Sequence, residues 1–395
     1  MTIARRTLLA ASIAAPLATP FVARAQPAPI VLGTLTPLTG AGGSYGPGMR
    51  DMAAAVVKVA NDAGGILGRP VKLVSEDDQT NPDAGVRAAR KLIDVDRVTV
   101  VVGTWASAVT TAVAPLCWES KTFLTTVSGA DTITQLPHQG YLIRTQPNSV
   151  LQGTAFVRLA RKLGIKKPYY LGPQTPYAEP TVRSMNKNFE PDGIVMGSTI
   201  YDPQKSSYRS EVDAALRAQP DAILAGGYIT DTAVLLRDLY RAGFKGRIMA
   251  FGYAVNDKFV ADQPKEATDG IWAMSPSPEL DGAAYKTAAA LVGKTEIDTY
   301  SAQVFDHVVM ALLAMQLAGE ASGTAVRDNI RKVSQGDGPK VTNLIDGLAA
   351  LKGGAKALDY DGASGPCTFD AIGDISDVKF RYDRVEGGKL VLQTI

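Results

Sequence analysis

The stretch VTVVVGTWASAVTTAVAPLC, residues 98–117, decides how the rest of the chain is read. Val98 to Val102 is an uninterrupted β-branched run of the kind buried on both faces of a parallel sheet, and it stops at Gly103. Ser107 stands where a helix N-cap belongs, and Ala108 to Cys117 carries apolar residues at helical spacing. The segment therefore reads as strand, tight loop and helix. Such a helix start leaves N–H groups without intrahelical partners beside a serine hydroxyl, a ready site for an anion such as a carboxylate.

The same alternation runs outward in both directions. Before it come IVLGTL, the helix MRDMAAAVVKVANDAGG, VKLVSED and the helix AGVRAARKLI; after it come TFLTTV and YLIRTQ. Strands alternating with helices of this length predict a parallel sheet covered on both faces. After Gln146 the pattern begins again, with PYYLGP, GIVMGSTIY, AILAGGY, RIMAFG and GIWAMS separated by helical runs. The remainder is mostly helical, around 283–292, 301–317, 325–333 and 343–352, with one strand near PCTFD and a closing β-pair in DVKFRYDR and KLVLQTI. The predicted fold class is α/β in two lobes. Residues 28–147 and 276–358 form the first lobe, and 148–275 and 359–395 the second. Three crossings fall near 147, 275 and 360.

The N-terminus carries paired arginines (Arg5, Arg6), an apolar run broken by Pro16 and Pro20, and Ala23-Arg24-Ala25 before Gln26. This order predicts a secretory signal of the twin-arginine type, cleaved after Ala25. Its apolar run is shorter than the roughly 20 residues that span a bilayer. Cleavage removes three of the 41 basic residues and none of the 39 acidic ones, so the mature chain is near neutral. A basic excess suited to nucleic acid or an anionic membrane is absent. No second long apolar segment is expected, which predicts a soluble mature protein. Cys117 and Cys367 are permitted to pair in an exported chain, but nothing in their spacing implies it, and a buried free thiol suits the apolar helical face of Cys117.

The chemical motifs are mostly exclusions. With two histidines, His138 and His307, and no H-E-x-x-H or C-x-x-C, no metal site and no cofactor are expected. Ser107 lies outside a G-x-S-x-G turn, and GAGGSYGPG lacks the spacing of a phosphate loop. What remains is a set of loops at the carboxyl ends of strands, where open α/β sheets bind ligands. Tyr45, Trp105, Ser107, Ser128, Tyr177, Tyr228 and Tyr253 gather in those loops, contributed by both lobes, and together predict a cleft that encloses a small molecule.

TPLTG, AGGILGRPV, EDDQTNP, GTWAS, SGADTIT, YLIRTQPN and GGY resemble, in content and order, the bacterial periplasmic solute-binding proteins of the leucine/isoleucine/valine class. The likeness runs from about Ile30 to the C-terminus. It implies a type I periplasmic binding protein, two lobes closing like a Venus flytrap, with a membrane permease and an ATPase as partners. The resemblance makes Ser107 the carboxylate-binding serine and Tyr45, Tyr177 and Tyr228 the rings that pack on the ligand. Trp105, Ala106, Ser128, Gly129, Ala130 and Tyr253 complete the candidate ligand-binding set.

Two departures stand out. Ala130 occupies a place where amino-acid binders of the class carry threonine, and it is followed by Asp131, read as the N-cap of TITQL. Gly252 or Tyr253 stands where they carry the glutamate that pairs with the ligand ammonium. A buried ammonium without a carboxylate partner costs several kcal/mol. A ligand lacking the α-amino group is therefore expected beside the amino-acid alternative, in which Asp131 or Asp231 would supply the charge.

The functional reading is a monomeric, non-enzymatic, exported binding protein for a small carboxylate-bearing solute or amide. A ligand-responsive regulator of the same architecture is the alternative. A hydrolase with Ser107 as nucleophile lacks a histidine placed to serve as base.

Overall fold

In the computed structural model, which describes residues 27–395, VTVVVG becomes the central strand of a parallel sheet. The predicted signal and its cleavage point lie outside the described residues. The first sheet is built from β1 (Ile30–Thr36), α1 (Gly46–Asp62), β2 (Val71–Asp77), α2 (Pro82–Arg90), β3 (Val100–Gly103), α3 (Ser107–Glu119), β4 (Phe123–Thr126) and β5 (Leu142–Arg144). Its five strands run parallel in the order β2-β1-β3-β4-β5. Val100, Val101 and Val102 are fully buried, each side chain contributing about 1.5–3 kcal/mol relative to exposure.

Helix α4 (Ser149–Lys162) leads into the second sheet. It is followed by β6 (Pro168–Pro173), α5 (Ala178–Phe189), β7 (Gly197–Tyr201), α6 (Arg209–Arg217), β8 (Ala222–Ala225), α7 (Ile229–Arg241) and β9 (Arg247–Phe251). Two short helices that the sequence pattern did not reveal, α8 (Asp257–Asp262) and α9 (Lys265–Thr268), precede β10 (Trp272–Pro276). The chain then makes α10 (Ala283–Leu291), α11 (Thr299–Ala318), α12 (Gly323–Ser334), β11 (Lys340–Val341), α13 (Leu344–Lys352), β12 (Asp359–Gly362) and β13 (Gly365–Pro366). Helices α10, α11 and α13 pack on α1, and α11 also meets β3. Finally β14 (Phe380–Glu386) and β15 (Lys389–Gln393) add antiparallel strands to the second sheet, whose order is β15-β14-β10-β9-β8-β6-β7.

Several local expectations are corrected. Segment PCTFD contributes only Pro366 to the two-residue arm β13; beyond it Arg144 bridges to Asp374, and the chain reaches β10 only at Phe380. Against the expectation of no further long apolar segment, helix α11 is long and apolar enough to cross a membrane, yet every residue from Tyr300 to Met315 is buried. A helix apolar on all sides belongs in a core, and this one is covered by α1, α10, α12, α13 and β3. Ser107 is the first helical residue of α3, with Ala106 in the N-cap position, so the serine side chain is released from capping. Asp131 likewise lies inside a short 3₁₀ turn capped by Ala130. Both cysteines are free and buried, and burial pushes the Cys117 thiol up to about 12.

Candidate functional site

The loop after β3 turns on two residues in the left-handed region, Gly103 at φ +114° and Thr104 at φ +52°. A Cβ on Gly103 would come within 2.8 Å of the Leu35 carbonyl, so a side chain is excluded there. Thr104 is β-branched and strained in this conformation, and its surroundings hold it. Its N–H donates to the Leu35 carbonyl at 2.8 Å, its hydroxyl to Thr126 Oγ1 at 2.9 Å, and its carbonyl accepts from Thr126 Oγ1 at 2.8 Å. The turn throws Trp105 and Ser107 to the carboxyl edge of the sheet.

Ser107 Oγ accepts the Ala130 N–H at 3.1 Å, which leaves its own proton free to donate. Together with the first N–H groups of α3 and the N–H of Gly129, this makes a cluster of donors with no acid in it. Ser128 takes a different place from the one expected. Its hydroxyl donates to the Thr104 and Trp105 carbonyls at 3.0 and 2.9 Å and is fully buried, tying the loop after β4 to the loop after β3.

Opposite this cluster stand aromatic residues from the second sheet: Tyr177 after β6, Tyr228 after β8 and Tyr253 after β9. Trp105 is their meeting point. Its ring lies 5.2 Å from Tyr228 and 6.1 Å from Tyr253, and Tyr45 stacks on it at 5.5 Å with planes 24° apart. The Tyr45 hydroxyl donates to the Tyr253 carbonyl at 3.0 Å and accepts from Asn256 Nδ2 at 2.8 Å, joining the two sides. Burial drives the phenols of Tyr177, Tyr228 and Tyr253 far above their ordinary range, so all are neutral donors near pH 7.

Of the ten residues singled out in the sequence, Trp105, Ser107, Gly129, Tyr177, Tyr228 and Tyr253 line one cavity. Tyr45 lines a second, adjoining one, while Ala106, Ser128 and Ala130 lie behind the first wall. Sequence reasoning missed Gln146, Gln152 and Tyr300, which line both cavities. Gln152 Oε1 accepts from Tyr177 Oη at 2.9 Å, and Tyr300 packs edge-on against Tyr45 from α11. The only available signal was the Asp298 cap that starts α11 beside Tyr300, which says nothing about a cleft.

The two cavities differ in charge and size. The Ser107 cavity is the smaller, about 440 Å³ against about 1170 Å³ with the open space at the mouths included. Among the described residues that line it, none carries a charge, whereas the larger one is bordered by Asp257, Glu296, Asp298, Arg381 and Asp383. Asp131 and Asp231 reach neither, and Asp231 Oδ1 already accepts from Gln204 N and Tyr208 Oη. Neither histidine lines the Ser107 cavity: His307 is fully buried with Nε2 2.7 Å from Thr145 Oγ1, and burial lowers it to about 3. Among the described residues no cluster of three metal-ligating side chains occurs.

Comparison with known proteins places this geometry in context. Residues 29–366 match the family model described as periplasmic binding protein. A Leu/Ile/Val-binding protein homologue of Brucella abortus is 25% identical over 342 residues, covering 84% of this chain and 89% of the relative. A substrate-binding protein of a chemotactic signal transduction system in Halobacterium salinarum is 24% identical over 351 residues, covering 85% and 82%. A leucine-binding protein from Thermotoga maritima superposes with a TM-score of 0.77 at 21% identity, over 92% of this chain and 98% of that one. A solute-binding protein from R. palustris, solved with 4-hydroxybenzoate, superposes at 0.74 with 18% identity over 93% and 96%.

Proposed function

The chain belongs to the periplasmic binding protein family, and we propose that it captures a small carboxylate-bearing solute lacking an α-amino group in the cavity beside Ser107. One observation carries this reading: the described residues lining the cavity offer hydrogen-bond donors and aromatic faces but no carboxylate. The Ser107 hydroxyl, the Gly129 N–H and the start of α3 would hold the acid, and Trp105, Tyr177, Tyr228 and Tyr253 would enclose an apolar or flat body. An ammonium brought into the same place would be desolvated without a partner, at a cost of several kcal/mol.

Hinge closure of the two lobes, one built around the first sheet and one around the second, would trap the solute between them. The closed protein, a monomer released to the periplasm after cleavage at Ala25, would deliver the solute to a permease and ATPase. The chemotactic relative supports a second reading, in which the closed form is read by a sensory partner.

Thermal-shift measurements on the mature protein test the ligand class. Benzoate, 4-hydroxybenzoate and 4-methylpentanoate would be compared with leucine, which is 4-methylpentanoate with an α-amino group. A ligand at 100 times its dissociation constant adds about 2.7 kcal/mol. Stabilisation by acids without the amino group supports the reading, and a greater effect of leucine overturns it. Restored uptake of the same acid in a deletion strain would favour transport over sensing.

A further inference from the structure

Arg144 ends β5 with a fully buried side chain, and every donor on its guanidinium can be followed to an acceptor. Nε donates to Asp374 Oδ1 at 2.9 Å, and Nη2 donates to the same oxygen and to Thr134 Oγ1 at 3.2 Å. Nη1 donates to the carbonyls of Ser128, at 3.3 Å, and of Ala130. The second oxygen of Asp374 accepts from Asn148 Nδ2 at 2.9 Å. The loop that flanks Ser107 is thus held from behind by one side chain.

The two carbonyls have a consequence for the cavity. A trans peptide points its C=O and N–H in opposite directions, and no described peptide bond is cis. With the Ser128 carbonyl turned back toward Arg144, the N–H of Gly129 is turned the other way. Gly129 lines the Ser107 cavity, and its N–H has no hydrogen-bond partner among the described residues. The Ala130 N–H is already given to Ser107 Oγ. Gly129 therefore presents the free backbone donor of this loop, and Arg144 sets its direction.

We propose that Arg144 is a positioning residue for anion recognition, aiming the Gly129 N–H at the ligand carboxylate by holding the Ser128 and Ala130 carbonyls away from it. The proposal rests on the carboxylate reading above. Stability alone does not account for the pair, because well-packed apolar residues in place of a buried ion pair are often as stable or more so. Nor would lysine replace it: a single ammonium cannot span the carboxylate, the hydroxyl and two carbonyls as a planar fork does.

The test compares Arg144→Lys with the unaltered protein by calorimetric titration of benzoate against benzamide, and of 4-methylpentanoate against 4-methylpentanamide. A hydrogen bond to a charged acceptor is worth more than one to a neutral acceptor. Affinity for the acids is expected to fall about tenfold or more, corresponding to about 1.4 kcal/mol, and for the amides about threefold or less. An equal fall for acid and amide, or unchanged affinity for the acids in a folded variant, overturns the proposal. If the unaltered protein binds none of the acids, the carboxylate reading fails by itself. The crystal structure of Arg144→Lys then decides the positioning role: a reoriented Ser128–Gly129 peptide supports it and an unmoved one overturns it. Should Arg144→Lys not fold, the double variant Arg144→Met, Asp374→Leu, which buries no charge, is measured in the same two ways.

Discussion

The loops after β3 and β4 and the loops after β6 and β8 face each other across one cleft, yet they treat their polar groups differently. In the first pair Thr104, Thr110, Thr126 and Ser128 bond to one another and to the backbone, and Arg144 fastens the assembly from behind. In the second, Tyr177 Oη donates to Gln152 Oε1 at 2.9 Å and the Gly226 carbonyl accepts from Tyr253 Oη at 3.3 Å, and the surface offered to the cleft consists largely of tyrosine rings. One side presents donors in set directions, which suits recognition of charge. The other presents amphipathic area, which suits enclosure of a body of less defined shape.

The largest expected effect probes an exception on the first side. Asp78 follows β2, is fully buried, and has Oδ2 without a partner among the described residues. Burial raises its carboxyl to about 7, with Asp77 nearby adding to the rise and a bond from Thr80 N opposing it. A folded pKa above the unfolded value near 3.8 means that stability is fully present below about pH 4 and is lost as pH rises through 7. At about 1.36 kcal/mol per unit, the loss is of order 4 kcal/mol. Asp78→Asn keeps the acceptor for Thr80 N and should be more stable than the unaltered protein at pH 8, with the gain vanishing at pH 4. Denaturant melts at the two pH values check this, and parallel curves would mean that Asp78 is paired in solution.

Gly129→Ala comes next, because it tests whether the two sides truly meet. A Cβ there would lie 2.8 Å from Tyr177 Cε2 and 3.0 Å from Gln152 Nε2. Overpacking of this kind costs about 1–3 kcal/mol, so acid affinity should drop by roughly 10- to 100-fold while circular dichroism stays unchanged. Undiminished binding would show that the ligand-bound sides stand further apart.

Ser107→Ala removes a donor from the ordered side and should weaken binding of the acids by roughly 1–3 kcal/mol. Titration calorimetry reads this directly, and an unaffected acid would transfer the carboxylate to another part of the cleft. The smallest effect belongs to the opposite side. Removing the Tyr228 hydroxyl in Tyr228→Phe should cost less than about 1 kcal/mol, because the ring rather than the hydroxyl is used. A larger loss would erase the contrast between the sides.

Much of the fold was legible because periodicity reports burial. The alternation of β-branched runs with amphipathic helices located β1 to β10, and the turn at Gly103 followed from a strand that stops at glycine before a helix start. The short helices α8 and α9 escaped because four to six residues cannot display a 3.6-residue period. In the site, Trp105, Ser107, Tyr177 and Tyr228 were legible from their positions after strands. Gln146, Gln152 and Tyr300 were not, since their neighbours in sequence are ordinary parts of a crossing and two helices.

By itself the sequence determined the α/β architecture, because local patterns of burial suffice to specify it, and it pointed to the class of binding protein through its resemblance to a known family. Only the tertiary structure decided that Ser128 is a tie rather than a lining residue, that no charged side chain among the described residues borders the Ser107 cavity, and that Arg144 stands behind Gly129. The physical reason is that a hydrogen bond depends on direction and distance between groups up to 230 residues apart, as in Arg144 and Asp374, and no local pattern encodes either.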